Sequence, residues 1–511
     1  MRTKIGLAAL VGVAVIIASP LAKAQQADPD ATLRVTYAGA PGSLDPHKPK
    51  STGDFPYVVF VYDRLTRIAD DLSVHPMLAT SWQATPDGKA LELKLRTDVV
   101  FHDGTKFDAA AVKASLERAK SVGSDVIKGP LRGIASIEVV DPSTVRLVLA
   151  SGGAELPGVL GTTVGAMISP KAIASGADLA TNPGDAGSGP FMIKDFRLNE
   201  RVTYERAPTY WGPNASSRPK IVELNYVAQG ATRINGLKSG QFDVAFISGP
   251  DVAQSLKESE AGLYRARQVF VATQHAIMLQ PARAIWQDER VRRAVALAID
   301  RESISKDFLA GNCKPASEPL MKENPAYNPA TEDLVKYDPA KARALLKEAG
   351  VSNLSFEASA IAGSSMAALA PVLQAQLKEV GIDMKVSPRP GFESTGAFRA
   401  GQVDALVNPY TGQADVSLTL ANHFLGGDKL IDPKNTELKA IAEKALNPAL
   451  QPAERNKLYQ EAMLMVVKEG YGISICNTRQ LQIYTDKVIG VDKMDWTWAG
   501  LPDYSTLAKS K

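Results

Sequence analysis

Between Pro76 and Lys120 the chain can fold in few ways, because three local signals follow one another without a gap. Leu91, Leu93 and Leu95 alternate with Glu92, Lys94 and Arg96, the period of a strand with one buried face. Pro86-Asp87-Gly88 supplies the turn before it, so the segment predicts two turn-linked strands. His102-Asp103-Gly104 turns the chain again. Asp108 can then accept the first unpaired amides of a helix whose inward positions are Ala111, Val112, Ser115, Leu116 and Ala119.

At the N-terminus, Arg2 and Lys4 precede an apolar run from Ile5 to Ala18, and Ala22-Lys23-Ala24 offers small residues for cleavage. This pattern predicts a secretory leader cut after Ala24. As a helix the run rises only about 21 Å, short of the roughly 30 Å hydrocarbon core of a bilayer. No cysteine follows it directly, so a periplasmic protein without a lipid anchor is expected. Setting aside Arg2, Lys4 and Lys23 from the 58 basic residues leaves 55 against 55 acidic ones. A formally neutral mature chain lacks the single-sign field that nucleic acid or an anionic membrane would select, and neither is expected as a partner.

The mature chain is too long for one core, which stops growing near about 250–300 residues, so two or three domains are expected. Cys313 and Cys476 are the only cysteines. In an exported protein they could form a bridge or stand as two small buried hydrophobes, and spacing alone does not decide.

Further motifs follow in order. A strand over Thr32–Tyr37 runs into a loop containing Leu44-Asp45-Pro46. Ser51-Thr52-Gly53 comes next, and Tyr57 to Tyr62 is expected to begin a helix. Ile137 to Val140 and Val145 to Leu149 flank the turn Asp141-Pro142-Ser143-Thr144. Gly187-Ser188-Gly189-Pro190-Phe191 precedes Tyr210-Trp211-Gly212. No phosphate-loop Lys-Ser/Thr follows those glycines, so they are expected to relieve crowding at a crossing between domains. Ile234 to Ala245 reads as a helix end, a glycine stop and a buried strand. Val291, Ala294, Val295, Ala298 and Ile299 form one apolar helical face within Asp288–Gly311. Asp338-Pro339 opens a short helix that Gly350 closes, and Gln374 to Met384 reads as helix into strand.

Taken as strings, these segments resemble the family 5 solute-binding proteins of ABC importers, whose members include dipeptide, oligopeptide, nickel, opine and glutathione receptors. The resemblance extends from about residue 33 to 480. It implies an α/β, two-lobed periplasmic binding protein fold, class II-like and of cluster C, with an extra domain inserted in the first lobe. The implied boundaries are 25–57, 190–268 and 480–511 for the first lobe, 58–189 for the extra domain and 269–479 for the other lobe. The implied function is capture of a peptide or peptide-like small solute between the lobes and delivery to a membrane permease, with a separate ATPase supplying energy. The receptor is expected to be a monomer without cofactor.

One departure from the peptide receptors bears on the ligand. Where dipeptide receptors carry an Asp for the peptide ammonium, this chain reads Tyr410-Thr411-Gly412-Gln413-Ala414-Asp415-Val416-Ser417, with Gln413 nearest that Asp. Where they carry an Arg for the carboxylate, it has Ser364, Ser365, Met366 and Ala367. A buried ammonium without its partner costs about 3–5 kcal/mol. A simple dipeptide held by both termini is therefore not expected. A longer or modified peptide, or a small organic solute, fits better.

The candidate ligand-binding residues are Ser51, Thr52, Tyr57, Tyr410, Thr411, Gln413 and Asp415. For Asp415 an Asx turn competes with a ligand role, and for Tyr410 core packing does. Trp286, Trp496 and Trp498 are expected in cores, and Gln280 in a structural role. No Gly-x-Ser-x-Gly elbow is present, nor a Ser-x-x-Lys with its partner motifs, and no catalytic residue is expected. His47, His75, His102, His275 and His423 show no metal-ligand spacing, so no direct metal site is expected. The alternative reading is a receptor for a nickel chelate, or for another non-peptide solute such as an opine, a sugar or an aromatic compound.

Overall fold

The computed structural model describes residues 26–69, 72–362, 364–426, 430–431, 435–497 and 499–511. The leader and Trp498 lie outside the described residues. The architecture is α/β and two-lobed. One eleven-stranded sheet runs through both lobes in the order Ile382–Arg389, Leu354–Ile361, Ala405–Tyr410, Arg265–Leu279, Gly472–Tyr484, Val244–Ser248, Thr32–Tyr37, Ile221–Tyr226, Arg201–Arg206, Phe191–Arg197. The short strand Cys313–Pro315 pairs with Gly472–Tyr484 off this path.

Two strands belong to both lobes. Arg265–Leu279 and Gly472–Tyr484 pair antiparallel, but their register breaks between Phe270 and Gln274. Before the break the partners are the first lobe's strands. After it they are those of the second lobe. The cores change at the same place. Leu481 and Ile483 pack with Ile234, Leu237 and Val252, whereas Ile473 and Ile475 pack with Trp286, Phe356 and Tyr459. Burying separate apolar clusters on either side of an interrupted ladder leaves the crossing as the place where the lobes can rotate.

The extra domain is built as its sequence predicts. Ala79–Ala84, Ala90–Leu95, Thr144–Leu149 and Ile134–Asp141 form a four-stranded antiparallel sheet with Leu91, Leu93 and Leu95 buried. The Asp108 carboxylate accepts the Ala111 amide at 2.9 Å and opens the helix Ala109–Val122, which buries Val112, Leu116 and Ala119. Asp141 and Thr144 close the second hairpin as a pair.

Several motifs meet where this domain joins the first lobe. Burial pushes the His102 ring below its ordinary value, and its Nε2 donates to the Gly189 carbonyl at 2.8 Å. A Cβ at Gly187 would collide with the Val61 carbonyl, which is why the crossing needs glycine. Asp63, fully buried, accepts Ser188 Oγ, Tyr210 Oη and Trp211 Nε1 at 3.0, 3.1 and 2.7 Å, so two distant segments converge on one carboxyl. Burial pushes that carboxyl up to about 6 against those bonds.

The expected helix from Tyr57 is only one turn, Phe55–Val58, and it begins earlier. The carbonyls of Phe60 and Val61 are needed elsewhere, accepting the amides of Phe191 and Gly189 at 3.0 and 2.8 Å. A continuing helix would have used them internally.

Candidate ligand cleft

Strand direction places the site. Thr32–Tyr37, Ile221–Tyr226 and Val244–Ser248 run parallel in the first lobe and end toward the crossing. In the second lobe Leu354–Ile361, Ile382–Arg389 and Ala405–Tyr410 also run parallel to one another, and Tyr410 pairs with Gln274 just past the register break. The carboxyl ends of both strand sets therefore converge on the same two crossing strands, the position where open α/β sheets bind ligands.

The first-lobe loop after Tyr37 is held by two carboxylates. Asp54 accepts the amides of Gly42, Lys50 and Ser51 at 2.6, 2.7 and 3.3 Å. Asp45 takes a two-pronged bond from Arg118 of the extra domain, at 3.0 and 2.6 Å. Ser51 stands exposed, its Oγ accepting the Gly53 amide at 3.1 Å, and Thr52 opens the one-turn Thr52–Asp54 helix. Tyr57 is fully buried behind the loop, its hydroxyl donating to the Gly39 carbonyl at 2.7 Å.

In the second lobe, Tyr410 is buried against His423 and Phe424, with ring centroids 5.0 and 6.0 Å away. Thr411 and Gln413 are half-buried. Gln413 Nε2 donates to the Thr411 carbonyl and its Oε1 accepts from Asn422, both at 3.1 Å. Asp415 caps Val416–Thr419, its Oδ1 accepting Ser417 N, Ser417 Oγ and Tyr459 Oη at 2.9, 2.8 and 3.2 Å. Asp415 makes no ion pair among the described residues. Ser364 caps Ser365–Glu379 through the Ala367 amide at 3.2 Å, so this turn carries a neutral cap.

Two arginines at or beyond the crossing are announced by no local motif. Arg479 lies over the Phe270 ring at 4.6 Å and forms no ion pair among the described residues. Arg389, at the end of its strand, pairs with Glu357 at 3.2 Å. Arg479 was missed because only the pairing of Arg265–Leu279 with Gly472–Tyr484 brings it to the crossing, and Arg389 because its strand end carries no motif. Trp286 and Trp496 are core residues. Gln280 bonds backbone only, donating to Phe398 and accepting from Ala282, which is a structural role.

Cys313 and Cys476 form a disulfide with Cα atoms 5.5 Å apart, fastening Cys313–Pro315 to a crossing strand. Beside it Gln274 Nε2 donates to the Glu318 carbonyl at 2.8 Å, and the Glu318 side chain is fully buried. Burial pushes its carboxyl up to about 8, only partly opposed by bonds from Asn328 N and Thr331 Oγ1. Between the ordinary value of 4.5 and about 8 the folded state binds the extra proton. Stability therefore falls as pH rises through that window, by up to about 1.4 kcal/mol per pH unit. Glu318→Gln is expected to flatten this slope in urea unfolding measured from pH 5 to 8; an unchanged slope would contradict the assignment.

Among the described residues no helix is long and apolar enough to cross a membrane, and no cluster of His, Cys, Asp and Glu could hold a metal ion. Comparison with known proteins gives one consistent answer. The glutathione-binding protein GsiB of Salmonella paratyphi A is 27% identical over 478 residues, covering 88% of this chain and 89% of the relative. The fold matches NikZ from Campylobacter jejuni, solved with Ni(L-His), at 23% identity and a TM-score of 0.77, over 94% of this chain and 99% of that one. It also matches DppA from Helicobacter pylori, an ABC transporter-associated periplasmic binding protein solved with the peptide STSA, at 21% identity and a TM-score of 0.76, over 94% and 98%. The profile of the bacterial extracellular solute-binding proteins, family 5, matches residues 73–430, well over half the chain. With two lobes, an inserted domain and a cleft at the strand ends already in place, the chain belongs to the bacterial extracellular solute-binding proteins of family 5.

Proposed function

We propose that this protein is the exported substrate-binding component of an ABC importer, closing its lobes on a peptide or peptide-like small solute and presenting it to a permease. One observation carries the reading: two sets of strand ends, backed by separate cores, meet at a single register break. A ligand touching both lobes binds the closed form better than the open one, and closure is what the permease reads. The moving bodies are taken as 25–57, 190–268 and 480–511 with 58–189, against 269–479. The leader to Ala24 would deliver the chain to the periplasm. No catalytic step is assigned.

Ser51, Thr52, Thr411, Gln413 and Asp415 are the groups we assign to the ligand, with Tyr57 and Tyr410 as supports behind the two loops. The three bonds on Asp415 all reach Oδ1, and the Oδ2 atom is the one we direct at a ligand donor. The neutral Ser364 cap and Gln413 argue against a dipeptide held by both charged ends. Glutathione, the ligand named for a relative, carries an ammonium and a carboxylate together on its γ-glutamyl end and a second carboxylate on its glycine, so its charges are placed differently from a dipeptide's. A metal chelate, as in NikZ, is the second ligand to test.

Native mass spectrometry of freshly purified protein is expected to show a bound small solute. Calorimetry should then give simple dipeptides affinities roughly 100-fold or more below that solute's. Micromolar binding of a simple dipeptide, unchanged in Gln413→Ala and Asp415→Ala, would refute the charge argument.

A further inference from the structure

The extra domain touches more than the lobe that carries it. Ala154, at the start of its Gly152–Gly158 segment, is buried, and both its backbone polar groups are satisfied by the second lobe. Its amide donates to the Leu446 carbonyl at 3.2 Å, and its carbonyl accepts Arg455 Nη1 at 2.7 Å. Four residues on, Gly158 packs so closely that a Cβ there would lie 2.7 Å from the Ala414 carbonyl. Leu418 packs against the extra domain's core. A second touch point lies at the Pro86-Asp87-Gly88 turn, where a Cβ on Gly88 would sit 2.7 Å from Asn447 Oδ1.

These contacts land on the second lobe beside the ligand loop. Ala414 lies between Gln413 and Asp415, and Tyr459, which bonds Asp415, is one helical turn from Arg455 on Pro452–Glu469. Glu155, inside the segment, has its carboxyl pushed up by burial and by the Asp415 charge. Within the extra domain the segment is braced by Thr66, whose hydroxyl donates to the Pro157 carbonyl at 2.6 Å. Rotation about the crossing strands separates the second lobe from this segment as well as from the first lobe.

We propose that the extra domain is a closure latch: its Gly152–Gly158 segment grips the second lobe at Ala414, Leu446 and Arg455 and sets how much of the protein is closed before any ligand arrives. This rests on the closing-receptor reading and extends it by assigning part of the closing free energy to the inserted domain rather than to the solute. Such a latch needs no ligand contact, because bonds made between the two bodies favour the arrangement that holds them together.

The test is a trap for the closed state that uses no ligand. Cβ atoms at positions 152 and 446 would be 3.5 Å apart, within disulfide range, and the left-handed backbone at Gly152 (φ 62°) strains a cysteine there, which the melts of the cysteine pair itself must show to be tolerated. Gly152→Cys with Leu446→Cys, in the full mature chain with the native bridge intact, is therefore expected to cross-link under mild oxidation. Adding Arg455→Ala, or the wedge Gly158→Val, is expected to slow that reaction about tenfold. Thermal melts check that each variant is folded, and if Gly158→Val is not, Arg455→Ala decides. No cross-link, or equal rates in every background, overturns the latch. Failure of the receptor reading looks different: the pair cross-links normally while native mass spectrometry finds no solute.

Discussion

Arg118→Ala is expected to destabilise the protein by about 3–5 kcal/mol, because it strands a charge inside the protein. Asp45 is 3% exposed and its partner 13%, and the two guanidinium nitrogens reach the two carboxylate oxygens separately. Burial alone would raise the Asp45 carboxyl, but the bonds and charge of Arg118 outweigh it and hold the carboxyl below its ordinary range. The group is thus ionised when folded. Its contribution is present above the unfolded carboxyl's range and is lost as pH falls through the folded value. With Arg118 in place, burial and then the Arg118 charge push the His47 ring down to about 4, so Arg118 is the cation that Asp45 meets. Replacing both partners together, Asp45→Asn with Arg118→Met, is expected to cost less than Arg118→Ala alone. Urea unfolding of the three variants checks this; an Arg118→Ala protein within about 0.5 kcal/mol of wild type would contradict it.

Loss of the Cys313–Cys476 bridge is the second large effect. It closes a sequence separation of 163 residues, for which chain entropy gives about 5 kcal/mol and measured losses in native proteins run to about 2–5 kcal/mol. Cys313→Ser with Cys476→Ser is expected to lower the melting temperature of the second lobe by about 5–10 °C where that lobe melts as a unit. Reductant should reproduce the loss in wild type and leave the double variant unmoved. The bridge holds Cys313–Pro315 against the strand that crosses between lobes, so the loss is expected in the second lobe. Equal melting with and without reductant would contradict the account.

Elements whose stabilising contacts are local were legible from the chain. Asp108 and Asp338 cap helices through Ala111 and Lys341, and Gly240 and Gly350 take the left-handed conformations that end theirs. The inserted domain's hairpins follow the leucine alternation directly. Tyr57 to Tyr62 was misread because its carbonyls are claimed by residues about 130 positions away, which no local pattern encodes. The crossing was hidden for a related reason. Arg265–Leu279 is half-exposed before the break and buried after it, so one strand carries two periodicities. Its partner lies some 200 residues on.

The candidate site divides the same way. The Asp415 carboxylate does form the Asx-type cap that its position suggested, and Ser51 does bond within its own turn. Burial of Tyr57 and Tyr410 depends on packing that only the assembled lobes supply. Arg479 comes to the crossing through strand pairing between distant segments, and no motif marked it or Arg389.

Small-angle scattering on the mature protein, stripped of bound solute and then returned to the solute recovered from it, tests the central claim most directly. The radius of gyration is expected to shrink on return of the solute, as the two lobes rotate about Val271–Thr273 and close. An identical profile in both states, with the solute bound in each case by mass, would contradict it.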